Sequence, residues 1–427
     1  MIDLKRLRQD PEGSRASLLR RRDPSVAAAV DALLALDRER RELLVRVEGL
    51  KAERNAATEE VARRKRAKEP ADELMAQLKT SGEEVKALDG RLRDLETELE
   101  RQAMSLPNFP AEVLPDGDAS ANRVVRTWGE HPSFDFQPRP HWELASALGI
   151  LDLPAGAKLT GSGFPVFRGL GARLGRALAA FMLDLHSREH GYTEVAVPYL
   201  VNRASLTGTG QLPKFEEDLY GFPADDLFLI PTAEVPVTNL HRDEILESGV
   251  LPRGYVACTP CFRREAGAHG KDTRGLIRVH QFDKVELVRF SRPEESDAEH
   301  ERLTGHAEEV LRRLGIPYRV VELAAGDTGF ASARTFDLEV WAAGVGTWLE
   351  ASSSSTFTDF QARRANIRFR REPRAKPELV HTLNASGVAF PRTIIALLEN
   401  NQAADGSVRV PEALVPYLGV DRLTPGA

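Results

Sequence analysis

The sequence predicts an α+β fold that carries a long helical arm, and three observations lead to this prediction. Apolar residues recur every seven positions over residues 36–57 and again over residues 78–99, which is coiled-coil spacing. Residues 261–286 alternate charged and apolar side chains with the period of a β-strand. Further along, helical periodicity over residues 296–314 is followed by strand-like segments at 318–323 and 335–341. Helices and strands are therefore both expected, with the heptads set apart near the start of the chain.

Composition bounds the partners and the compartment. The chain has 427 residues, 42% of them hydrophobic, which suits two or three domains with a sizeable core. Because 58 basic residues face 64 acidic ones, for a net charge of -6, any contact with nucleic acid must come from local basic patches. The start, MIDLKRLRQD, lacks a signal-peptide core, and no apolar run reaches membrane-spanning length. We expect a cytoplasmic protein without membrane contact.

The arm is predicted as an antiparallel helical hairpin over about residues 26–103. Its two heptad series are separated by a break near Glu69 and Pro70. Limbs of about 33 to 40 residues would extend roughly 50 to 60 Å, too long for a globular core. The turn carries a basic cluster that suits a phosphate backbone, although a solvated tip or a plain coiled-coil tether has the same pattern. The cluster consists of Arg63, Arg64, Lys65, Arg66 and Lys68.

The ribbon over residues 261–286 is predicted to hold an anionic ligand. On its second limb, alternation places Arg278, Phe282 and Glu286 on one face. Arg263 and Glu265 share a face of the first limb, and the connection AGAHGKDTRG contains three glycines that permit a long turn. Arginine matches phosphate oxygens, phenylalanine offers a flat surface for a base, and a carboxylate suits an ammonium group. A salt-bridged surface ribbon is the alternative.

Polar groups for a small ligand occur in three further segments. Thr232-Ala233-Glu234 offers a hydroxyl and a carboxylate within a strand-like stretch, LFLIPTAEVPVTNL. Glu350 precedes four serines, and a carboxylate beside a hydroxyl suits Mg²⁺ when substrate phosphates complete its shell; a serine-rich loop is the alternative. Asn384, Ser386 and Arg392 are expected to converge near a helix N-terminus, which favours anions. Residues next to these in the sequence complete the set of candidate site residues.

Only two cysteines occur, Cys258 and Cys261, in the sequence CTPC. A structural zinc site needs two further ligands nearby, and a redox CxxC pair usually opens a helix. We interpret the two cysteines as incidental thiols and expect no zinc.

With these segments placed, the sequence resembles a bacterial-type seryl-tRNA synthetase, one of the class II aminoacyl-tRNA synthetases. GYTEVAVPYLV resembles class II motif 1, FRREAGAHGKDTRGLIRVHQFDKVE motif 2, and LNASGVAFPRTIIALLENNQ motif 3. GTGQLPKF, TAE and DFQARRANIRFR resemble segments specific to the seryl branch. The resemblance implies a tRNA-binding domain over residues 1–105, a linker over 106–140, and over 141–427 a catalytic domain whose antiparallel β-sheet is flanked by helices.

The resemblance also implies the activity and the partners. L-serine and ATP give seryl-adenylate and pyrophosphate, and the seryl group then passes to the 3′ end of tRNA(Ser); use of tRNA(Sec) is left open. A homodimer formed partly through motif 1, and Mg²⁺ bound with ATP, are expected. Two other functions stay open: a paralogue that charges a carrier protein, although such relatives look armless and zinc-dependent, and a coiled-coil interaction protein whose catalytic domain has decayed.

Residue roles follow from the same resemblance. The catalytic residues are Arg263, Arg278 and Arg392. The serine-binding residues are Thr232, Ala233, Glu234, Arg263, Glu286, Asn384 and Ser386. The ATP-binding residues are Arg263, Arg264, Glu265, Arg278, Val279, Phe282, Glu350, Ala351, Ser352, Ser353 and Arg392. The metal contacts are Glu350 and Ser353, and the tRNA contacts are Arg63, Arg64, Lys65, Arg66 and Lys68. The chain departs from the family pattern at five positions, which are Arg264, Ser354, Thr356, Ala385 and Pro391.

Overall fold

The computed structural model describes residues 1–266 and 274–426. By packing, these residues divide into two units: Met1–Leu19 with Asp23–Pro107, and Arg20–Arg22 with residue 108 onward. The glycine-bearing connection predicted within the charged ribbon, AGAHGKDTRG, falls largely on residues 267–273 and so lies outside the described residues. Among the helices that the structure describes, none combines the length and apolar character needed to cross a bilayer.

The first unit is helical and contains the predicted hairpin. The chain breaks between its two long helices close to Pro70, where the sequence places the turn. Lys68 ends the first long helix in a left-handed conformation, with φ of 58°. The helices are α1 (Leu4–Gln9), α2 (Pro11–Leu19), α3 (Ser25–Ala67) and α4 (Asp72–Ser105).

The seam between α3 and α4 has the composition that the heptads predict. At 1.5 Å per residue, the 43 residues of α3 and the 34 of α4 extend about 65 and 51 Å. Ion pairs cross the seam between Arg46 and Glu84 and between Arg40 and Glu96. Two paired helices bury one stripe each, so the rest of their surface stays polar. The buried seam residues are Leu33, Val47, Val61, Val85, Leu92, Leu95 and Leu99.

The second unit is built on one eight-stranded sheet. Its order is β1-β5-β6-β7-β8-β4-β3-β2, and every neighbouring pair is antiparallel except β2 with β3. The strands are β1 (Arg123–Trp128), β2 (Thr193–Glu194), β3 (Arg253–Phe262), β4 (Gln281–Ser291), β5 (Tyr318–Glu322), β6 (Arg334–Ala342), β7 (Thr347–Thr358) and β8 (His381–Ala389).

Helices flank this sheet, which confirms the predicted α+β class. Side chains of α5, α7, α10 and α12 form the main hydrophobic core with the sheet, and a smaller core lies against β3 and β4. The helices are α5 (His141–Ala147), α6 (Leu153–Thr160), α7 (Leu170–Asp184), α8 (Arg203–Thr209), α9 (Glu234–Thr238), α10 (Ser296–Arg313), α11 (Phe360–Ala365), α12 (Phe390–Asn400) and α13 (Val415–Leu418). Short strands outside the main sheet are Leu151–Asp152, Val166–Phe167, Leu200–Asn202, Gly221–Phe222, Leu227–Leu229, Ile245–Leu246, Arg368–Phe369, Glu378–Leu379, Val408–Arg409 and Arg422–Leu423.

Three segments differ from the sequence prediction. Residues 106–140, expected as an extended linker, contain β1, because the β-branched Val124 and Val125 suit an edge strand despite the surrounding prolines. LFLIPTAEVPVTNL was predicted as one strand but is a strand followed by α9, since Pro231 cannot donate to a ladder. The second limb of the charged ribbon becomes a strand only at Gln281, so Arg278 lies ahead of the sheet rather than within it.

Candidate active site

A cavity of about 580 Å³ lies on the face of the sheet formed by β3, β4, β7 and β8. The returning limb ahead of β4 and the start of α12 close its sides. Segments predicted separately from the sequence meet in this one place. The predicted site residues that line it are Thr232, Glu234, Arg263, Glu265, Arg278, Val279, Phe282, Glu350, Ala351, Ser353, Asn384, Ser386 and Arg392.

Two carboxylates form the buried end of the cavity. Asn384 on β8 joins them, because its Nδ2 donates to Oε1 of Glu286 at 2.8 Å and to Oε2 of Glu234 at 3.2 Å. The hydroxyl of Thr232 donates to Oε2 of Glu286 at 3.1 Å and accepts from Nζ of Lys284 at 3.0 Å. Lys284 also forms an ion pair with Glu286. The end of the cavity therefore presents more negative than positive charge, which suits a cationic group.

The buried position of Glu234 beside Glu286 raises the pKa of its carboxyl. Burial raises the pKa of its carboxyl to about 7, and the negative charge of Glu286 acts in the same direction. Nε2 of Gln361 on α11 donates to Oε1 of Glu234 at 2.5 Å, and Oε1 of Gln361 accepts from the hydroxyl of Thr382 at 2.7 Å. The amide of Gln361 is thus fixed in one orientation and holds Glu234 in place.

Three guanidinium groups also line the cavity. Arg263 donates from Nε to the carbonyl of Pro231 at 3.3 Å, and its guanidinium lies 5.2 Å from the centre of the Phe282 ring. Arg278 forms an ion pair with Glu265. A surface of three cations beside one aromatic ring suits an anion that carries a planar base.

Arg392, the third of these arginines, bridges two parts of the cavity wall. Its Nε donates to the carbonyl of Ile277 at 3.3 Å, and its Nη1 donates to the carbonyl of Glu350 at 2.6 Å. The same nitrogen lies 3.4 Å from Oε2 of Glu350. Arg392 therefore connects α12 to the returning limb ahead of β4 and to β7.

Oxygen ligands lie together on β6 and β7. Asp337 pairs with Ser353 in the ladder, and Glu339 pairs with Glu350. Burial, together with the charge of Glu350, raises the pKa of Asp337 well above its ordinary value. Oδ1 of Asp337 is buried and has no hydrogen-bond partner. The carboxylates of Asp337 and Glu350 and the hydroxyl of Ser353 fit a hard divalent cation that takes its remaining ligands from phosphate and water. Oδ1 of Asp337 is the unsatisfied oxygen of this set. Among residues 1–266 and 274–426, no cluster of three His, Cys, Asp or Glu side chains suited to a metal occurs.

Some predicted residues lie outside the cavity lining. Glu286 is fully buried and reaches the cavity through Thr232 and Asn384. Ala233 is buried at the start of α9, and Ser352 donates its hydroxyl to the carbonyl of Ser386 at 2.6 Å. Arg264 is bound to Asp218 through its backbone, at 3.0 Å, rather than facing the cavity. Strand alternation already sets Arg264 on the face opposite Arg263 and Glu265, and its assignment to the ATP site came from the family resemblance alone.

Three residues of the site were not predicted from the sequence. Lys284 was placed on the polar face but given no role, and Gln361 and Asp337 were not singled out. Gln361 lies within DFQARRANIRFR, which was already recognised as a distinctive segment. Asp337 could have been noticed as an acid inside an apolar strand pattern, TFDLEV.

The basic tip of the arm is partly neutralised within α3. Glu60, one turn earlier, accepts hydrogen bonds from Arg63 and Arg64 at 2.7 and 2.8 Å. The sequence description, a cluster with no acid among its members, overlooked this neighbour. The hydrogen bonds of Glu60 do not involve Lys65, Arg66 or Lys68.

The two cysteines lie on β3. Burial raises the pKa of the Cys258 thiol to about 12, and burial also raises the pKa of Cys261. Neither thiol is activated, because both stay protonated at neutral pH.

Comparison with known proteins decides the family. The seryl-tRNA synthetase N-terminal domain model matches residues 1–110, and the class II tRNA synthetase core domain model (G, H, P, S and T) matches residues 216–401. Serine–tRNA ligase from Gemmatimonas aurantiaca is 54% identical over 98% of this chain and 99% of its own length. The chain belongs to the seryl-tRNA synthetase family. Serine–tRNA ligase from Citrifermentans bemidjiense is 56% identical over 98% of this chain and 99% of its own length.

The structural comparison agrees with this family. A crystal structure of seryl-tRNA synthetase from Pyrococcus horikoshii complexed with ATP has a TM-score of 0.96, 38% identity and full coverage of both chains. The cytoplasmic serine–tRNA ligase from Naegleria fowleri in complex with AMP has a TM-score of 0.88 and 28% identity, covering 98% of this chain and 97% of its own. Membership of an aminoacyl-tRNA synthetase family makes this chain a ligase.

Most of the departures from the seryl-tRNA synthetase pattern lie away from the cavity. Ser354 and Thr356 face α10, where their hydroxyls contact Thr304 and Ser296 at 2.8 and 3.2 Å. Ala385 is fully buried in β8. Pro391 alone of these four lines the cavity. The substitutions at Ser354, Thr356 and Ala385 therefore affect packing beneath the site rather than its charged groups.

Proposed function

We propose that this protein is a serine–tRNA ligase that activates L-serine with ATP and transfers it to the 3′ end of tRNA(Ser). The observation that carries the proposal is one cavity that combines two carboxylates joined by Asn384 with three guanidinium groups and an aromatic ring. Serine brings an ammonium and a carboxylate, and ATP brings a polyanion and a planar base. The charge pattern of the cavity complements both.

Each substrate group has a matching side chain. Arg263 binds the serine carboxylate and the α-phosphate, Glu286 the serine ammonium, and Phe282 stacks on adenine. Thr232 and Glu234 complete the pocket for serine, and Ser386 lies near its hydroxyl. The other assigned side chains line the cavity, and Glu286 contacts the lining residues Thr232 and Asn384, which supports these assignments.

The remaining arginines act on the phosphates. Arg278 binds the outer phosphates and Arg392 the phosphate tail, while Glu265 contacts the adenine amino group. Because Arg278 and Glu265 pair with each other in the free protein, an incoming phosphate competes with the Glu265 carboxylate for Arg278.

Adenylate formation needs no general base. The serine carboxylate arrives ionised and attacks the α-phosphorus, so that the mixed anhydride bond of seryl-adenylate forms as the phosphoanhydride bond to the leaving pyrophosphate breaks. Arg263, Arg278 and Arg392 orient the reactants and neutralise the charge that moves onto the leaving pyrophosphate. Glu350 and Ser353 would hold Mg²⁺ together with ATP, where it supplies further charge neutralisation. Transfer to the terminal ribose hydroxyl of tRNA completes the cycle.

Amino-acid selection follows from the same groups. A site that hydrogen-bonds the serine hydroxyl rejects alanine, because a buried polar group would be left unpaired, and it must exclude threonine by its size. The direct test is serine-dependent ATP–pyrophosphate exchange measured with each of the twenty amino acids. Exchange supported by serine alone is expected, whereas no exchange with serine would contradict the proposal.

The arm is proposed to bind tRNA through its basic tip. Deleting residues 30–100 should leave serine-dependent exchange intact but abolish aminoacylation of tRNA(Ser). A decayed interaction protein would show no exchange before or after the deletion, and a ligase for a carrier protein would lose nothing that depends on tRNA. Parallel assays with tRNA(Sec) would show whether that tRNA is also charged. We further propose a cytoplasmic homodimer that contacts its partner subunit through motif 1.

A further inference from the structure

The limb that carries Arg278 is held by contacts outside the sheet. β3 and β4 pair from Phe262 opposite Gln281, so the ladder does not include Leu276, Ile277 or Arg278. Backbone groups in such a segment need other partners if they are buried. The position of Arg278 in the cavity therefore depends on whatever binds the residues just before it.

A buried histidine supplies one of these contacts. The backbone N–H of Leu276 donates to Nε2 of His141, at the start of α5, at 3.0 Å. Nδ1 of His141 lies 2.8 Å from Oε1 of Glu399 on α12. Because Nε2 accepts a hydrogen bond, Nδ1 must carry the proton and donate it to the carboxylate. The partners thus fix both the tautomer and the plane of the ring.

Hydrogen bonds fix the position of Glu399 as well as that of the His141 ring. Both side chains are fully buried. Oε2 of Glu399 accepts from the backbone N–H groups of Gly344 and Val345 at 2.8 and 3.0 Å, and Oε1 also accepts from the backbone N–H of His141 at 2.8 Å. The carboxylate therefore has four hydrogen bonds, as a buried charge requires.

One helix holds the limb at two points. Arg392 and Glu399 lie seven residues apart on α12, hence on the same face. Arg392 contacts the limb directly through the carbonyl of Ile277, and Glu399 contacts it indirectly through His141. There is no room for a side chain between limb and ring, since a Cβ on Gly275, whose φ is +66°, would lie 2.2 Å from Nε2 of His141.

We propose that His141 is a positioning residue for ATP: it accepts the Leu276 N–H and so fixes the limb that presents Arg278 to the phosphates. This role rests on the proposed function, in which Arg278 binds the outer phosphates of ATP. The role requires the acceptor at Nε2, while the donor at Nδ1 only orients the ring. The two nitrogens can therefore be tested separately.

Two substitutions separate the nitrogens. The amide of asparagine reaches only as far as Nδ1, so H141N keeps a donor to Glu399 and leaves the Leu276 N–H without an acceptor. The amide of glutamine reaches as far as Nε2, so H141Q keeps the acceptor and loses the donor to Glu399. ATP–pyrophosphate exchange of the full chain, with ATP and serine varied separately, is measured for both variants together with their melting temperatures.

We expect H141N to lower kcat/KM for ATP by about 10- to 100-fold, the range for outer-shell positioning groups. The KM of H141N for serine should stay within about twofold of the parent. The kinetic constants of H141Q for ATP and for serine should stay within about threefold of the parent, because the limb keeps its acceptor. If the ring served only to satisfy Glu399, H141Q would be the more impaired variant. H141N with the parental kcat/KM for ATP, or H141Q impaired as strongly as H141N, would overturn the proposal.

A third variant covers the case in which H141N does not fold. G275A leaves His141 and Glu399 unchanged but forces its Cβ against Nε2, and it should reproduce the ATP-specific loss. Parental kinetics in G275A would overturn the role of His141. A parent protein without serine-dependent exchange would instead refute the proposed function, so the two failures are distinguishable.

Discussion

Two glutamates, one on the arm and one in the cavity, differ in what determines the pKa of their carboxyl groups. Hydrogen bonds from Arg63 and Arg64 lower the pKa of Glu60, whose side chain is 32% exposed, to about 2. Burial raises the pKa of Glu234 to about 7. On the arm, partners three and four residues away determine the charge. In the cavity, it is determined by desolvation among residues from distant parts of the chain.

The same contrast applies to the apolar residues. The arm buries one stripe on each helix, and that stripe can be read directly from a period of seven. The second unit buries nearly complete strands and helices around a sheet whose neighbours are far apart in sequence, as β4 and β8 are. Substitutions in the cavity should therefore change activity, whereas substitutions on the arm should change local stability or affinity for tRNA.

The largest effect is expected from R263A. Removing a guanidinium that stabilises charge developing at phosphorus should lower ATP–pyrophosphate exchange by more than about 10³-fold. R409A replaces an exposed side chain on the short strand Val408–Arg409, and as the matched control it should stay near the parental rate. Exchange in R263A within tenfold of the parent would contradict the assigned role and, with it, the view that the cavity concentrates the functional charges.

Glu234 should make the stability of the second unit depend on pH. Its pKa in the folded chain, about 7, lies above its ordinary value of 4.5, so the folded state binds more protons in this window. Its effect on stability is therefore most favourable below about pH 4.5, and stability falls as pH rises towards 7, by about 3 kcal/mol in total.

E234Q should remove that slope. The free energy of unfolding, measured by urea denaturation at pH 5 and pH 8, should change less between the two pH values in E234Q than in the parent. E60Q on the arm is the control, because the Glu60 carboxyl, with a pKa of about 2, is ionised at both pH values. Equal slopes in the parent and E234Q would show that burial does not control this carboxyl.

The heptad seam can be tested with two valines on the same helix. Val47 is 1% exposed and Val45 is 71% exposed. V47A should destabilise the arm by about 2 kcal/mol through lost burial and a small cavity, and V45A by less than about 0.5 kcal/mol. Melting of the arm by circular dichroism measures both, and exchange activity should stay parental in both. Equal destabilisation would show that the seam is misassigned.

The smallest effect is expected at the tip of the arm. K65A combined with R66A removes two cations that have no acid within the tip sequence, while Arg63 and Arg64 stay paired with Glu60. Affinity for tRNA(Ser) should fall by roughly tenfold, and the salt dependence of binding should weaken by about one to two phosphate contacts. Filter binding across a salt series measures both quantities. An unchanged salt slope would point to a solvated tip without a role in binding.

The sequence was informative about the site where each segment carried its own chemistry. Alternation in motif 2 and the hydroxyl–carboxylate segment at residues 232–234 selected Arg278, Phe282, Thr232 and Glu234 before any fold was known. The sequence did not reveal Gln361 or Asp337, because their importance comes from the groups they face. Gln361 matters through Glu234 and Thr382, and Asp337 through Ser353 and the charge of Glu350. The family resemblance placed Arg264 in the ATP site, although strand alternation sets it on the face opposite Arg263 and Glu265.

By itself, the sequence determined the arm, its break near Pro70, the α+β class and the residue types that bind an anion and an ammonium group. Each of these depends on local periodicity or on the chemistry of a short segment. Only the tertiary structure decided that Glu234 and Glu286 share Asn384, that Arg264 faces away, and that His141 supports the limb before Arg278. Hydrogen bonds and desolvation between residues 98 or more positions apart leave no periodic trace in a single chain.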